Sequence, residues 1–170
     1  MNIQRSQKTL ASLIAAVILS AAHLSAHAAA THEFTDKDRQ EVKDVFLRQA
    51  AAATAHDIVA FEGVFASAPA GQPDPVVLIA RPYRFWGKPA LIAHFKETFK
   101  GVWKFDPNVE SIKIIPLTAD VAQVYAETQI TGGPLDVPSK PAPYLVYEVA
   151  VRTTEGWRIA AIVPLAAQAQ

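Results

Sequence analysis

VAQVYAETQI, residues Val121 to Ile130, alternates in a way that decides the architecture. Successive side chains of an extended chain point to opposite sides, so Ala122, Val124, Ala126 and Thr128 share one face and Gln123, Tyr125, Glu127 and Gln129 the other. The same period of two runs outward into SIKIIPL (111–117), YLVYEVAV (144–151) and GWRIAAIVPL (156–165), all rich in β-branched and aromatic residues. In the third of these four strands Leu145, Tyr147, Val149 and Val151 take one side, and Tyr144, Glu148 and Arg152 the other. The more apolar side is expected to meet helices, which leaves Glu127, Glu148 and Arg152 as a ladder of cross-strand pairs on the outer face. TTEG (153–156) reads as a tight hairpin, and the Pro-rich TGGPLDVPSKPAP, Thr131 to Pro143, as a long protruding connection.

Upstream of Val109 the period is that of helices. Thr35 to Asp38 has the form of a capping box. Val42, Val45, Phe46, Ala50 and Ala53 then recur as one buried stripe, with Lys37, Asp38, Glu41, Lys43, Asp44 and Arg48 expected to face water. His56-Asp57 breaks this helix, and Asp57 is placed to cap a second, short one whose inner side is Ile58, Phe61, Val64 and Phe65. SAPAGQPDP (67–75) is a loop by composition and VVLIA (76–80) a short buried strand. Arg81 to Arg84 reads as a turn, and Gly87-Lys88-Pro89 opens a third helix that buries Leu91, Ile92, Phe95 and Phe99 and ends near Lys100-Gly101. Three helices followed by a mostly antiparallel sheet make an α+β domain, with no internal repeat.

Ahead of that domain, Arg5 and Lys8 precede an apolar run from Thr9 to Ala26 that closes on Ala26-His27-Ala28. This predicts a secretory signal peptide over 1–28, with cleavage after Ala28 or, second, after Ala30. The run barely reaches the length of a membrane span, and its small residues and His23 favour export over an anchor. The expected product is a single domain, 29–170, in the periplasm or outside the cell, free of the membrane. Removing Arg5 and Lys8 takes the sixteen basic residues to fourteen against sixteen acidic ones, a balance that argues against a nucleic-acid partner. The chain has no cysteine, so thiolate chemistry and thiolate metal sites are excluded. No His/Glu metal spacing, phosphate loop or cofactor motif occurs, and neither a metal nor a cofactor is expected.

In order along the chain stand a capped first helix, His56-Asp57 at the second, the spacing of Phe61 and Phe65, W-G-K-P-A-L-I at the third, A-D-V-A-Q-V-Y on a strand and E-G-W-R-I-A-A on the last. Together these resemble the SnoaL-like branch of the nuclear-transport-factor-two-like superfamily, and within it the small SgcJ/EcaC group, over about Asp36 to Pro164. The resemblance implies a cystatin-like cone, in which a curved antiparallel sheet wraps three helices around a pocket, often as a dimer. Better-defined enzymes of the superfamily place an acid or an aspartate–histidine pair in the cone, and no such pair is matched here by motif.

Candidate site residues come from the rings. Phe61, Phe65, Tyr83, Arg84, Trp86, His94, Trp103 and Tyr147 are expected to line a pocket for a small, largely apolar molecule, with or without a carboxylate. The start of the third helix, with Arg84 or Lys88, would hold such a carboxylate. His94, at the border of the buried stripe, is the candidate acid or base. A second reading is a non-enzymatic module, in which the outer sheet face pairs two copies and the Thr131–Pro143 connection engages another exported protein; Tyr125 and Tyr144 motivate it.

Overall fold

The computed structural model describes residues 33–81 and 83–167, so the predicted signal peptide and its cleavage site lie outside the described residues. Helix α1, Asp36–Thr54, opens on the expected capping box: the Thr35 hydroxyl accepts from the Asp38 N–H at 3.3 Å, and the Asp38 carboxylate accepts from the Thr35 N–H at 2.9 Å. Asp38 itself is buried and does not face water as its place in the pattern predicts. The Arg152 guanidinium and the Trp157 indole, both from the far end of the sheet, donate to its Oδ1 and replace the lost hydration. At the other end of α1, His56 takes φ 55 while its N–H reaches the Ala53 carbonyl and the Asp57 N–H reaches Ala52. This is a Schellman stop with histidine where glycine is usual. Asp57 then turns its side chain to the N–H groups of Val59 and Ala60, capping α2, Ile58–Gly63, as predicted.

Strand β1, Val77–Ala80, turns back at once into β2, Tyr83–Trp86, where the sequence predicts only a turn. The chain reverses between Ala80 and Tyr83, with Arg81 at φ 51, and Tyr83-Arg84-Phe85-Trp86 has the ring content of a strand. Helix α3 covers Lys88–Thr98. Its Gly87 cap has no side chain, and Asp74 from the proline loop supplies one, its carboxylate accepting from the Lys88 N–H at 3.0 Å and the Val76 N–H at 2.9 Å.

After α3 comes a second unpredicted strand, β3, Val102–Pro107, then a 3-10 turn at Val109–Ser111 and β4, Lys113–Pro116. The long strands are β5, Val121–Gly133, β6, Ala142–Thr153, and β7, Gly156–Ala166. The seven-stranded sheet runs β2-β1-β7-β6-β5-β3, with β4 also on β5; every pairing is antiparallel except β1 with β7. Between Pro107↔Thr128 and Lys113↔Tyr125, residues 108–112 lie opposite only residues 126–127. That excess separates β3 from β4 along the one edge of β5.

Helix α1 packs on β3, β5 and β7 across the inner face. Ala122, Val124, Ala126, Thr128 and Ile130 are buried there, as the alternation predicts. For β6 the predicted faces are reversed. Register sets Ala126 against Val146, Val124 against Glu148 and Ala122 against Ala150, so Val146, Glu148 and Ala150 turn to the helices while Leu145, Tyr147 and Val149 turn outward. Both faces of β6 carry apolar residues, and the small inner face of β5 decides which goes in. The predicted outer ladder does not form: Glu148 is buried, Glu127 is exposed, and Arg152 pairs with Asp38 and Asp120. The TTEG hairpin is present, whereas the β5–β6 connection is only Pro134 to Pro141, because Thr131, Gly132 and Gly133 pair with Lys104, Trp103 and Val102.

Candidate functional site

The predicted pocket residues are distributed over three places in the fold. Phe61 and Phe65 are core residues, with ring centroids 5.0 Å apart, and Phe61 also packs on Phe95 at 4.4 Å and Phe99 at 5.5 Å. Rings at these separations fill the helix side of the interior. Tyr83 and Trp86 are 51% and 70% exposed, and Arg84 is exposed, so the rings of β2 do not all point inward as predicted. Trp103 lies across β5 at Gly132, where a Cβ would come within 2.6 Å of its ring. Tyr147 stands on the outer face beside Tyr125.

His94 is held in a stack. Its ring lies 4.4 Å from Phe85 and 5.1 Å from Tyr83, and its Nε2 is 3.4 Å from the Thr98 hydroxyl. Burial pushes the imidazole below its ordinary value, which favours the neutral ring. The start of α3 already holds a carboxylate, that of Asp74, and the Lys88 ammonium donates to Ser67 Oγ at 2.6 Å. The features expected to bind an external carboxylate there are satisfied within the chain.

Register brings forward a residue that the face assignment had turned outward. Glu148, in the middle of β6, is 0% exposed, and neither carboxylate oxygen has a hydrogen-bond partner. Val124 of β5 and Ile162 of β7 flank it in register. Burial raises its carboxyl to about 8, and the Gln49 amide on α1, near enough to favour the charged form, offsets only part of that. At neutral pH the group therefore carries its proton. Thr128, also buried and without a hydrogen-bond partner, lies four residues beyond Val124 on the same face of β5. Asp38 is the contrast: burial would raise its carboxyl too, but hydrogen bonds from Arg152, Thr35 and Trp157 prevail and hold it well below the usual carboxylate range. One buried acid is held by several charged and polar donors, and the other has only the neutral Gln49 amide beside it. The only sequence signal for the second was parity with Val124, which pairing alone reveals.

The outer face presents a different surface. Lys113, Tyr125, Tyr147 and Val163 stand in one row across β4 to β7, and Leu145 pairs with Leu165. A hollow of about 310 Å³ lies there between Lys113, Ile115, Gln123, Tyr125 and Tyr147. Among the described residues no group of three or more His, Cys, Asp or Glu is placed to hold a metal, and no helix is long and apolar enough to cross a membrane.

This arrangement of a curved, unclosed sheet over three helices matches many solved structures. A candidate dehydratase of the NTF2-like family from Streptomyces avermitilis superposes with a TM-score of 0.67 at 16% identity, over 79% of this chain and 99% of that one. The chain has the NTF2-like fold. A ketosteroid isomerase-like protein from Erwinia carotovora atroseptica gives a TM-score of 0.64 at 16% identity, over 79% and 100% of the two chains. A protein of unknown function with a cystatin-like fold from Nostoc punctiforme gives 0.64 at 14%, over 81% and 96%. No family model and no curated protein matches the sequence. At these identities the likeness is one of fold.

Proposed function

We propose that this NTF2-like domain is exported and holds a small, largely apolar molecule between α1 and the sheet, against Glu148. The single observation that carries this reading is the sealed Glu148 carboxyl, whose oxygens make no hydrogen bond of good geometry and have only the neutral Gln49 amide beside them. Native interiors pair nearly all of their buried polar groups, and one left unpaired points to a role or to a missing partner. The side chains in register around it on β5, Ala122, Val124 and Ala126, are small. The order of motifs from Asp36 to Pro164 supports the SnoaL-like branch, and neighbours named for a dehydratase and a ketosteroid isomerase are in keeping with a small organic guest. The test is thermal melting of the mature domain with a panel of apolar ketones, alcohols and acids, repeated with Glu148→Leu. A stabilising probe whose effect Glu148→Leu removes supports the reading; no shift with any probe overturns it.

The outer face favours a second, compatible reading, pairing of two copies. Tyr125, Tyr147 and Val163 share it with Ile115, Leu165 and, at the β1–β2 end, Ile79 and Trp86, several of them exposed large apolar residues. An apolar sheet face of this breadth is unusual on a monomer. Leu135 and Val137, exposed in the β5–β6 connection, are the corresponding contact for another exported protein.

A further inference from the structure

We propose that the hollow between the β6–β7 hairpin and the proline loop is a second binding site, separate from the interior, that takes a small monocarboxylate with an apolar body and seats its carboxylate on Arg158. The hollow measures about 810 Å³. Its apolar walls are Ala66, Ala68, Pro69 and Pro75 on the loop side and Val151 on the sheet side, where Val151 stands in register with Arg158. Both walls are fixed. The Ala66 N–H donates to the Ile159 carbonyl and the Ile159 N–H to that of Val64, each at 2.9 Å, so the loop departs directly from the side of β7. The Lys88 ammonium then ties Ser67 back at 2.6 Å, and the Thr153 hydroxyl closes the hairpin on the Gly156 carbonyl at 2.8 Å. A site built before its guest arrives loses little conformational freedom on binding.

The charged side chains that line the hollow are Arg152, Arg158, Asp120 and Glu155. Arg152 is already engaged, by Asp38 and by Asp120. Arg158 is held far more weakly. Its side chain is only 19% exposed, yet its ion-pair partner Glu155 is 77% exposed and stands 3.4 Å away, a mostly hydrated contact of the kind that contributes little. Of the five N–H donors of the guanidinium, one meets the Trp157 carbonyl at 3.0 Å and one meets Glu155, which leaves three for a guest. A guest carboxylate can take two of them side by side and release Glu155 to water. Ser67 adds a donor, because its oxygen accepts from Lys88 while its own O–H has no acceptor among the described residues. A cationic guest would meet two guanidiniums and find Asp120 already paired. A neutral guest would use the walls without Arg158, and an inorganic anion would use Arg158 without the walls. A carboxylate on an apolar body uses both.

The experiment titrates the mature domain at neutral pH with 3-phenylpropionate, its uncharged amide, the cation 3-phenylpropylammonium and plain acetate, and follows backbone amide resonances. The phenylpropionate should bind about tenfold more tightly than the other three and move the amides of Ser67, Ala68, Val151 and Thr154. In Arg158→Gln its affinity should drop to that of its amide. Glu155→Gln changes an exposed side chain and removes the acid that competes for the guanidinium, so it should tighten the phenylpropionate roughly threefold while leaving the amide as it was. Equal binding of phenylpropionate and its amide by the unaltered protein, or weaker binding of the phenylpropionate in Glu155→Gln, overturns the site. Shifts confined to interior residues such as Val124 and Ile162 overturn it as well and support the interior reading instead. No shift with any of the four probes overturns it without bearing on that reading, whose own test is the dependence of thermal stabilisation on Glu148.

Discussion

Glu148 sets the stability of the molecule against pH in a sense opposite to most carboxylates. Its folded value, about 8, lies above the ordinary 4.5, so between these limits the folded chain holds a proton that the unfolded chain has released. Stability should therefore fall as pH rises from about 4.5 to about 8, by up to roughly 1.4 kcal/mol per unit, and level off above. Denaturant titrations of Glu148→Gln should lack that slope, match the unaltered protein near pH 5 and exceed it by a few kcal/mol at pH 8, the order of magnitude expected of a buried charge. Asp38 works the other way: its carboxyl is held low, so the stability it contributes is present at neutral pH and disappears as pH drops below the usual carboxylate range. His94, lowered by burial, adds a loss of stability as pH falls through the ordinary imidazole range. At the α1–α2 junction Asp57→Ala removes both cap hydrogen bonds of α2 and should cost about 1 kcal/mol in urea unfolding. The capping roles of Thr35 and Asp57 were legible in the sequence because a cap is a contact over two or three residues. The burial of Asp38 and Glu148 was not, since their surroundings come from strands about a hundred residues away or from the partner strand's register.

Helix and strand periods were read correctly where one face differed clearly from the other, as in α1 and β5. Two strands escaped. Tyr83–Trp86 and Val102–Pro107 are short edge strands that follow a turn and a helix end, and their pairing partners, β1 and the far end of β5, make them extended. The glycines of Thr131-Gly132-Gly133 read as loop punctuation, yet Gly132 is a strand residue that leaves room for the Trp103 ring. Gly132→Ala would set a Cβ 2.6 Å from that ring and should cost 1–3 kcal/mol or so in chemical unfolding, the usual range for overpacking. Trp103→Ala in the same chain should recover part of that loss, so the two changes should be non-additive in a double-mutant cycle. At the head of α3, Asp74→Ala frees the Lys88 and Val76 N–H groups together. A drop of about 1–2 kcal/mol in stability, with faster amide exchange confined to Val76 and Lys88, is the expected outcome.

For the whole molecule, the two sheet faces divide the work: the inner one is packed against α1 and encloses Glu148, and the outer one presents Tyr125 and Tyr147 in direct register. Tyr147→Asp puts a charge at the middle of that outer face without touching the interior. Sedimentation equilibrium at micromolar concentration should give a dimer for the unaltered domain and a monomer for Tyr147→Asp, with the melting transition of the monomer still cooperative; a monomer in both removes the pairing of copies. The amino-acid order alone determined the helices with their caps, the period of the long strands, the α+β class and the NTF2-like resemblance, because these depend on residues within a few positions of one another. Tertiary structure alone decided which side of β6 faces inward and so which acid is enclosed. A strand rich in apolar residues on both sides carries no internal preference large enough to choose, and one residue of register, fixed by the small side chains of β5, exchanges every side chain between core and surface.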